Sequence, residues 1–209
     1  MAKLAVLASG NGSNFEALVL AARAAGHEAV LLVCDRPEAF VLQRAARLDV
    51  PSVLVSYARG DRAAVNGDRA RPNGGGNQPD GDRAARRLSA EARMTTALEA
   101  VGADLVALAG FMRLLSPAFV SRWQGRLVNI HPSLLPAYPG TEAIRRAWDA
   151  GEALLGVTVH YVDEGMDTGP VLAWAEVARQ ISLETTEQAV HETEHRLYAQ
   201  VAVDLLGDF

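Results

Sequence analysis

Asn129 and His131 are the residues from which chemistry can be built. They stand two apart in Leu127-Val-Asn-Ile-His131, an apolar run that reads as a strand, so strand alternation points both side chains to one face. An amide N–H beside an imidazole can stabilise the oxygen of a carbonyl under attack and move a proton. The next stretch, Pro132-Ser-Leu-Leu-Pro136-Ala-Tyr-Pro139-Gly140, carries three prolines that fix φ and restrain the residues before them. Such an extended loop holds the pair in place without a metal. The competing reading of the same residues is a satisfied core histidine at a sheet edge.

A carboxylate that could serve this pair is Asp167, in the tight loop Asp163-Glu-Gly-Met-Asp-Thr-Gly-Pro170 behind a strand. It reads either as a turn former bonded to its own backbone or as the group that orients His131 and favours its protonated form. A second feature, Ser9-Gly-Asn-Gly-Ser-Asn14, joins an apolar strand, 4–8, to a helical pattern over 15–25. Its glycines allow close backbone approach, and Ser13 or Asn14 is expected to cap a helix whose free N–H groups favour an anion. A phosphate monoester fits better than a dinucleotide, whose fingerprint needs glycine where Phe15 stands, although Asp35 sits near the usual ribose-binding spacing. A structural capped turn is the alternative.

His191-Glu-Thr-Glu-His195 matches a zinc-hydrolase pattern. A hydrolytic zinc needs a third protein ligand, and no histidine follows His195, so no metal is expected.

The elements that must position these groups alternate. Strands are expected over 4–8, 28–34, 52–55, 105–109, 127–131, 155–162 and 171–177, and helices over 15–25, 39–48, 88–101, 141–150 and 186–206. That order implies an α/β fold, an open, mostly parallel twisted sheet with helices on both faces, in which ligands gather at the carboxyl ends of the strands. The 209 residues suit a single domain over 1–209. Residues 59–86, rich in Gly, Asn, Asp, Pro and Arg, read as a mobile insertion. A net charge of −5 argues against nucleic-acid backbone as a partner, and the lone Cys34, inside an apolar run, reads as core in a reducing compartment. The short apolar stretch at the N-terminus is too short to span a bilayer, so a cytoplasmic protein with small-molecule partners, no membrane and a monomeric or homodimeric state is expected.

Four segments together resemble the folate-dependent phosphoribosylglycinamide formyltransferases: Ser9–Asn14, Leu108-Ala-Gly-Phe-Met-Arg-Leu-Leu-Ser-Pro-Ala-Phe-Val120, Asn129-Ile-His-Pro-Ser-Leu-Leu-Pro136 with Tyr138-Pro-Gly140, and Val159-His-Tyr161 through Asp167 to Pro170. The resemblance implies a formyltransferase-like Rossmann variant that passes the formyl group of 10-formyltetrahydrofolate, a co-substrate, to the amine of 5-phosphoribosylglycinamide in purine synthesis. It implies transfer by Asn129, His131 and Asp167. Gly12, Ser13 and Asn14 would bind the phosphoribosyl substrate and Glu194 its ribose hydroxyls. Met112, Arg113, Leu114 and Leu115, together with Asn129, would line the folate pocket, with Arg87 (or Arg86) as a basic neighbour of the substrates. The chain departs from the family at Thr141-Glu-Ala-Ile144, where histidines are common. A formyltetrahydrofolate hydrolase and a non-catalytic nucleotide-binding module are the rival readings.

Overall fold

A computed structural model describes residues 1–57 and 80–209. In chain order the elements are β1 (Lys3–Ala8), α1 (Ser13–Ala24), β2 (Glu28–Cys34), α2 (Val41–Arg47), β3 (Ser52–Leu54), α3 (Asp80–Ala100), β4 (Leu105–Leu108), α4 (Pro117–Arg122), β5 (Leu127–His131), α5 (Ala143–Asp149), β6 (Leu154–Tyr161), β7 (Val171–Ala178) and α6 (Leu183–Gly207). One sheet runs in the order β3-β2-β1-β4-β5-β6-β7. Strands β1 to β5 are parallel; β6 adds antiparallel to β5, and β7 antiparallel to β6.

The central strands are continuous apolar runs because both faces are covered. Along β1, Leu4, Val6 and Ala8 pack with Phe15, Leu18 and Tyr198 of α1 and α6. Ala5 and Leu7 point the other way, into a layer with Met94, Leu98, Phe119 and Trp123 from α3 and the α4 end. A third cluster joins α5 and α6 to β6 through Ile144, Val157 and Val190. The Tyr198 hydroxyl crosses from α6 to the sheet, donating to the carbonyls of Leu108 and Val128 at 3.0 Å each. It thereby ties the ends of β4 and β5, where the site residues begin, to the last helix.

Several boundaries differ from expectation, for local reasons. Helix α3 starts at Asp80, eight residues before the expected Leu88, so the 80–86 part of the expected insertion is helical. Residues 59–79 of that insertion lie outside the described residues. Helix α4 was not anticipated. It begins with Ser116 as N-cap, whose Oγ accepts from Phe119 N, and Pro117 in the first turn, a start signal in a six-residue helix too short to show periodicity. Buried Glu91 completes that cap, accepting from both Ser116 N and Ser116 Oγ. Helix α6 starts three residues early, at a capping box of Ser182 and Thr185. Neither Ser13 nor Asn14 caps α1. Gly12 is its N-cap, at φ 81°, and makes no side-chain bond. No helix among the described residues is long and apolar enough to cross a membrane.

Candidate active site

The sheet order reverses direction between β1 and β4, and the loops that leave the carboxyl ends of these two strands diverge to opposite sides. Between them and the end of β5 lies a cavity of about 620 Å³. Gly12, Ser13 and Asn14 line it from one side, Met112 to Leu115 from another, Asn129 and His131 from its floor, Asp167 from the β6–β7 loop and Glu194 from α6. Sequence spacing and the structure therefore converge on one place for residues that lie up to 182 positions apart. Arg87 is the exception: it is partly buried on α3, close enough to Tyr57 to act on its charge, and is not part of the cavity wall.

On β5, Asn129 and His131 share a face as alternation requires. Nε2 of His131 lies 2.9 Å from the Tyr138 carbonyl oxygen, an acceptor only, so Nε2 carries a hydrogen. Nδ1 lies 3.4 Å from Oδ2 of Asp167. Each ring nitrogen of His131 is thus set against an oxygen acceptor, one a carbonyl and the other a carboxylate. The Nδ1–Oδ2 separation exceeds that of a closed charge-assisted bond, so Asp167 faces this nitrogen without closing tightly on it. Asp167 is anchored independently: Oδ2 accepts from Gly140 N at 2.8 Å. The turn reading of Asp167 does not hold: Asp163 bonds the backbone of that loop, accepting from Gly165 N at 3.0 Å, whereas Asp167 ties the distant Gly140 N and faces His131.

The backbone here is held in unusual conformations. Tyr138, Glu142 and Asp167 have φ of 54°, 56° and 55°, a left-handed region costly for side chains other than Gly, Asn and Asp. In Tyr138 it accompanies the carbonyl that accepts from His131. Gly140, at φ 79°, supplies the N–H that Asp167 accepts.

Two histidines that the sequence reading gave no catalytic or binding role belong to this cavity. His160 lies directly opposite Asn129 in the β5–β6 ladder, and its Nε2 is 3.2 Å from Asn129 Nδ2 and 3.7 Å from Asp167 Oδ1. Burial pushes its pKa down. The signal was present as His160-Tyr161 before the Asp163 loop, but the pairing register that sets it against Asn129 is not visible in a single sequence. His191 also lines the cavity, and its Nδ1 is 2.7 Å from Oε2 of Glu194. The carboxylate raises the His191 pKa. His195, the other histidine of the zinc-like pattern, has its pKa lowered by burial. The described residues contain no group of three metal-ligating side chains.

Along the phosphate-type loop, a Cβ at Gly12 would run into Val41, so the close packing of α2 on this turn demands glycine. Ser13 and Asn14 occupy the first turn of α1, where backbone N–H groups have no helical acceptor. Asn14 Oδ1 is buried with no protein partner. On the opposite wall Met112 and Leu114 are exposed, as befits the apolar side of a pocket for a flat ligand. Arg113 lies on the same wall, but its Nε donates to Asp35 at 2.7 Å and its guanidinium stacks 4.9 Å from the Tyr57 ring. Asp35 is therefore the anchor of Arg113, which accounts for a carboxylate at the end of β2 without a dinucleotide.

The formyl transferase family profile matches residues 2–202. A phosphoribosylglycinamide formyltransferase of Bacillus subtilis strain 168 is 40% identical over 211 residues, spanning 99% of this chain and 96% of that protein. Among solved structures, glycinamide ribonucleotide transformylase 1 from Geobacillus kaustophilus is 42% identical, covers 99% of both chains and superposes with a TM-score of 0.81. The phosphoribosylglycinamide formyltransferase from Brucella melitensis is 35% identical over 98% of this chain and 95% of its own, with a TM-score of 0.80. The chain belongs to the formyl transferase family, and within it to the phosphoribosylglycinamide formyltransferases.

Proposed function

We propose that Asn129, His131 and Asp167 carry the transfer of the formyl group from 10-formyltetrahydrofolate to the amine of 5-phosphoribosylglycinamide. The observation that carries this reading is their convergence, at the end of β5, on a cavity whose two flanks differ in character. One flank is a helix N-terminus with a glycine turn, suited to a phosphate, and the other an apolar wall suited to a flat ring.

The acceptor amine attacks the formyl carbon, a new C–N bond forms, and negative charge grows on the formyl oxygen. Asn129 donates an amide N–H to that oxygen, and the positive charge of doubly protonated His131 offsets it. Asp167 holds the His131 proton in place. Collapse of the tetrahedral adduct breaks the bond to the folate nitrogen N10, and the proton lost by the amine reaches N10 through His131 or a bound water. Gly12, Ser13 and Asn14 hold the substrate phosphate, while Glu194 accepts from the ribose hydroxyls. Met112, Leu114 and Leu115 face the folate ring, and Arg113, fixed by Asp35, presents the rest of its guanidinium at that pocket's edge. No covalent enzyme intermediate and no metal are required.

Formyl-folate consumption, followed by absorbance with and without 5-phosphoribosylglycinamide, tests the reading. Consumption that depends on the amine and yields formylated product in equal amount is expected. Consumption at the same rate without the amine would mean that water is the acceptor. Binding of both ligands without turnover would reduce the chain to a binding module.

A further inference from the structure

The transfer needs Asn129 to present hydrogen rather than oxygen, yet a side-chain amide is nearly symmetric in shape. Turned by half a rotation, it would aim a carbonyl lone pair at the developing oxyanion and oppose the reaction. Something must distinguish its two ends.

We propose that His160 is a positioning residue that fixes the Asn129 amide, through an unprotonated Nε2 that accepts from Asn129 Nδ2 and keeps the nitrogen end of the amide at the reaction centre. This rests on the assignment of Asn129 as the oxyanion donor. Three observations support it. Asn129 and His160 are a direct cross-strand pair, so the two side chains leave the sheet on one face as immediate neighbours. The ring is almost fully enclosed, at 2% exposure, and its Nδ1 lies 2.8 Å from the carbonyl oxygen of Tyr161. A carbonyl only accepts, so Nδ1 carries the hydrogen and the neutral ring keeps its lone pair on Nε2. Asn129 Nδ2, 3.2 Å away, has two hydrogens: one goes to that lone pair and the other remains for the ligand.

Burial favours the neutral ring, against the Tyr161 carbonyl, Asp167 and Asp163, which pull the other way, while His131 opposes a second positive charge. The same geometry defines what protonation would do. A hydrogen on Nε2 would turn His160 into a donor on both nitrogens, face Asp167 Oδ1 at 3.7 Å, and leave Asn129 with a donor where it needs an acceptor. The amide would then be stable only with its oxygen toward the ring. His160 thus acts on the reaction through the choice of tautomer and touches no reacting atom itself.

The test is a double-mutant cycle of His160→Phe and Asn129→Ala, with His160→Gln as the conservative variant, since its carboxamide can donate to Tyr161 O and accept from Asn129. Steady-state constants for 10-formyltetrahydrofolate and 5-phosphoribosylglycinamide are measured in each, and the His160 tautomer is read from imidazole 15N shifts in the wild type. His160→Phe is expected to lower kcat about 10²-fold with either KM changed less than about threefold, the scale of losing one oriented donor. In the Asn129→Ala background it is expected to cost nothing further, and His160→Gln is expected to restore kcat to within about fivefold of wild type. The 15N spectrum is expected to show hydrogen on Nδ1 alone at neutral pH. A low kcat in Asn129→Ala with additive losses in the double variant, equal defects in His160→Gln and His160→Phe, or a protonated Nε2 would overturn the positioning role while leaving Asn129 as donor. Near-wild-type kcat in Asn129→Ala would overturn the donor assignment itself, and the positioning role with it.

Discussion

Asp167→Asn separates charge from geometry at the centre of the site. The substitution keeps the shape of the side chain and leaves one oxygen to accept from Gly140 N, as Oδ2 does at 2.8 Å in the parent. The loop that carries residue 167 therefore retains its closing bond. What is lost is the negative charge 3.4 Å from His131 Nδ1. At that separation, with an effective dielectric constant of about 20, a full charge pair is worth up to about 5 kcal/mol. Both side chains are largely enclosed, 7% and 13% exposed, so solvent screens little of it. Desolvation of the two ions offsets part of that figure, and the share felt only in the transition state is smaller again. A loss of about 3–4 kcal/mol of transition-state stabilisation corresponds to roughly 10²–10³ in kcat. The expectation is a fall of that size with KM for both substrates within a few-fold and an unchanged melting curve. Asp167→Ala removes the Gly140 bond as well and is expected to raise KM in addition. Turnover of Asp167→Asn within tenfold of wild type, measured at saturating substrates at pH 7.5, would refute the claim that the carboxylate charge supports the reaction.

Three further outcomes follow from the walls of the site. Gly12→Ala puts a Cβ against Val41 at φ 81° and is expected to destabilise the chain by about 1–2 kcal/mol from backbone conformation alone. Displacement of the turn should raise KM for 5-phosphoribosylglycinamide at least tenfold, and equal constants in the variant would mean that the turn does not touch this substrate. Tyr198→Phe leaves two buried strand carbonyls without the hydroxyl they share, at a cost of about 1–2 kcal/mol. A melting temperature lowered by roughly 3–6 °C, with kcat unchanged, is expected by calorimetry. His191 has its pKa raised by Glu194 above its ordinary 6.5, so its cation persists below that value and is lost as pH rises through the higher one. Calorimetric affinity for 5-phosphoribosylglycinamide is expected to weaken across that upper window in the wild type and to lose this step in His191→Gln. A step of the same size in the variant would assign it to another group.

What could be read from the chain depended on how local its cause is. The strands of the parallel half are apolar because both faces are covered, and the boundaries of β2 and β5 follow from that one requirement. The Gly-Asn-Gly-Ser-Asn turn and the Asn-x-His pair are likewise short-range patterns, and both face the cavity. The capping of α1 was misread because Ser13 and Asn14 are good caps by type, while the contact with Val41 leaves room only for Gly12 at that position. Arg87 follows from the family pattern by counting back from Gly110 without a gap, just short of the 59–86 insertion, and on α3 it lies close enough to Tyr57 to act on its charge.

The pairing of β5 with β6 is where the most was hidden. Strand β6 runs antiparallel to β5, against the direction of the rest of that half of the sheet, and this reversal sets His160 opposite Asn129 and Thr158 opposite His131. A parallel β6 would have needed a crossover, and its residues would meet β5 in a different order. The return through α5 and along β6 also brings the β6–β7 loop back to the end of β5, where Asp167 meets both Gly140 and His131. The antiparallel turn of the sheet therefore sets which side chains meet in the cavity. It allows one carboxylate to close the proline loop and face the imidazole, while a buried neutral histidine takes up the amide beside it. Each residue's chemistry was legible from its type, but which residues share a bond was set by a strand direction that no short pattern encodes.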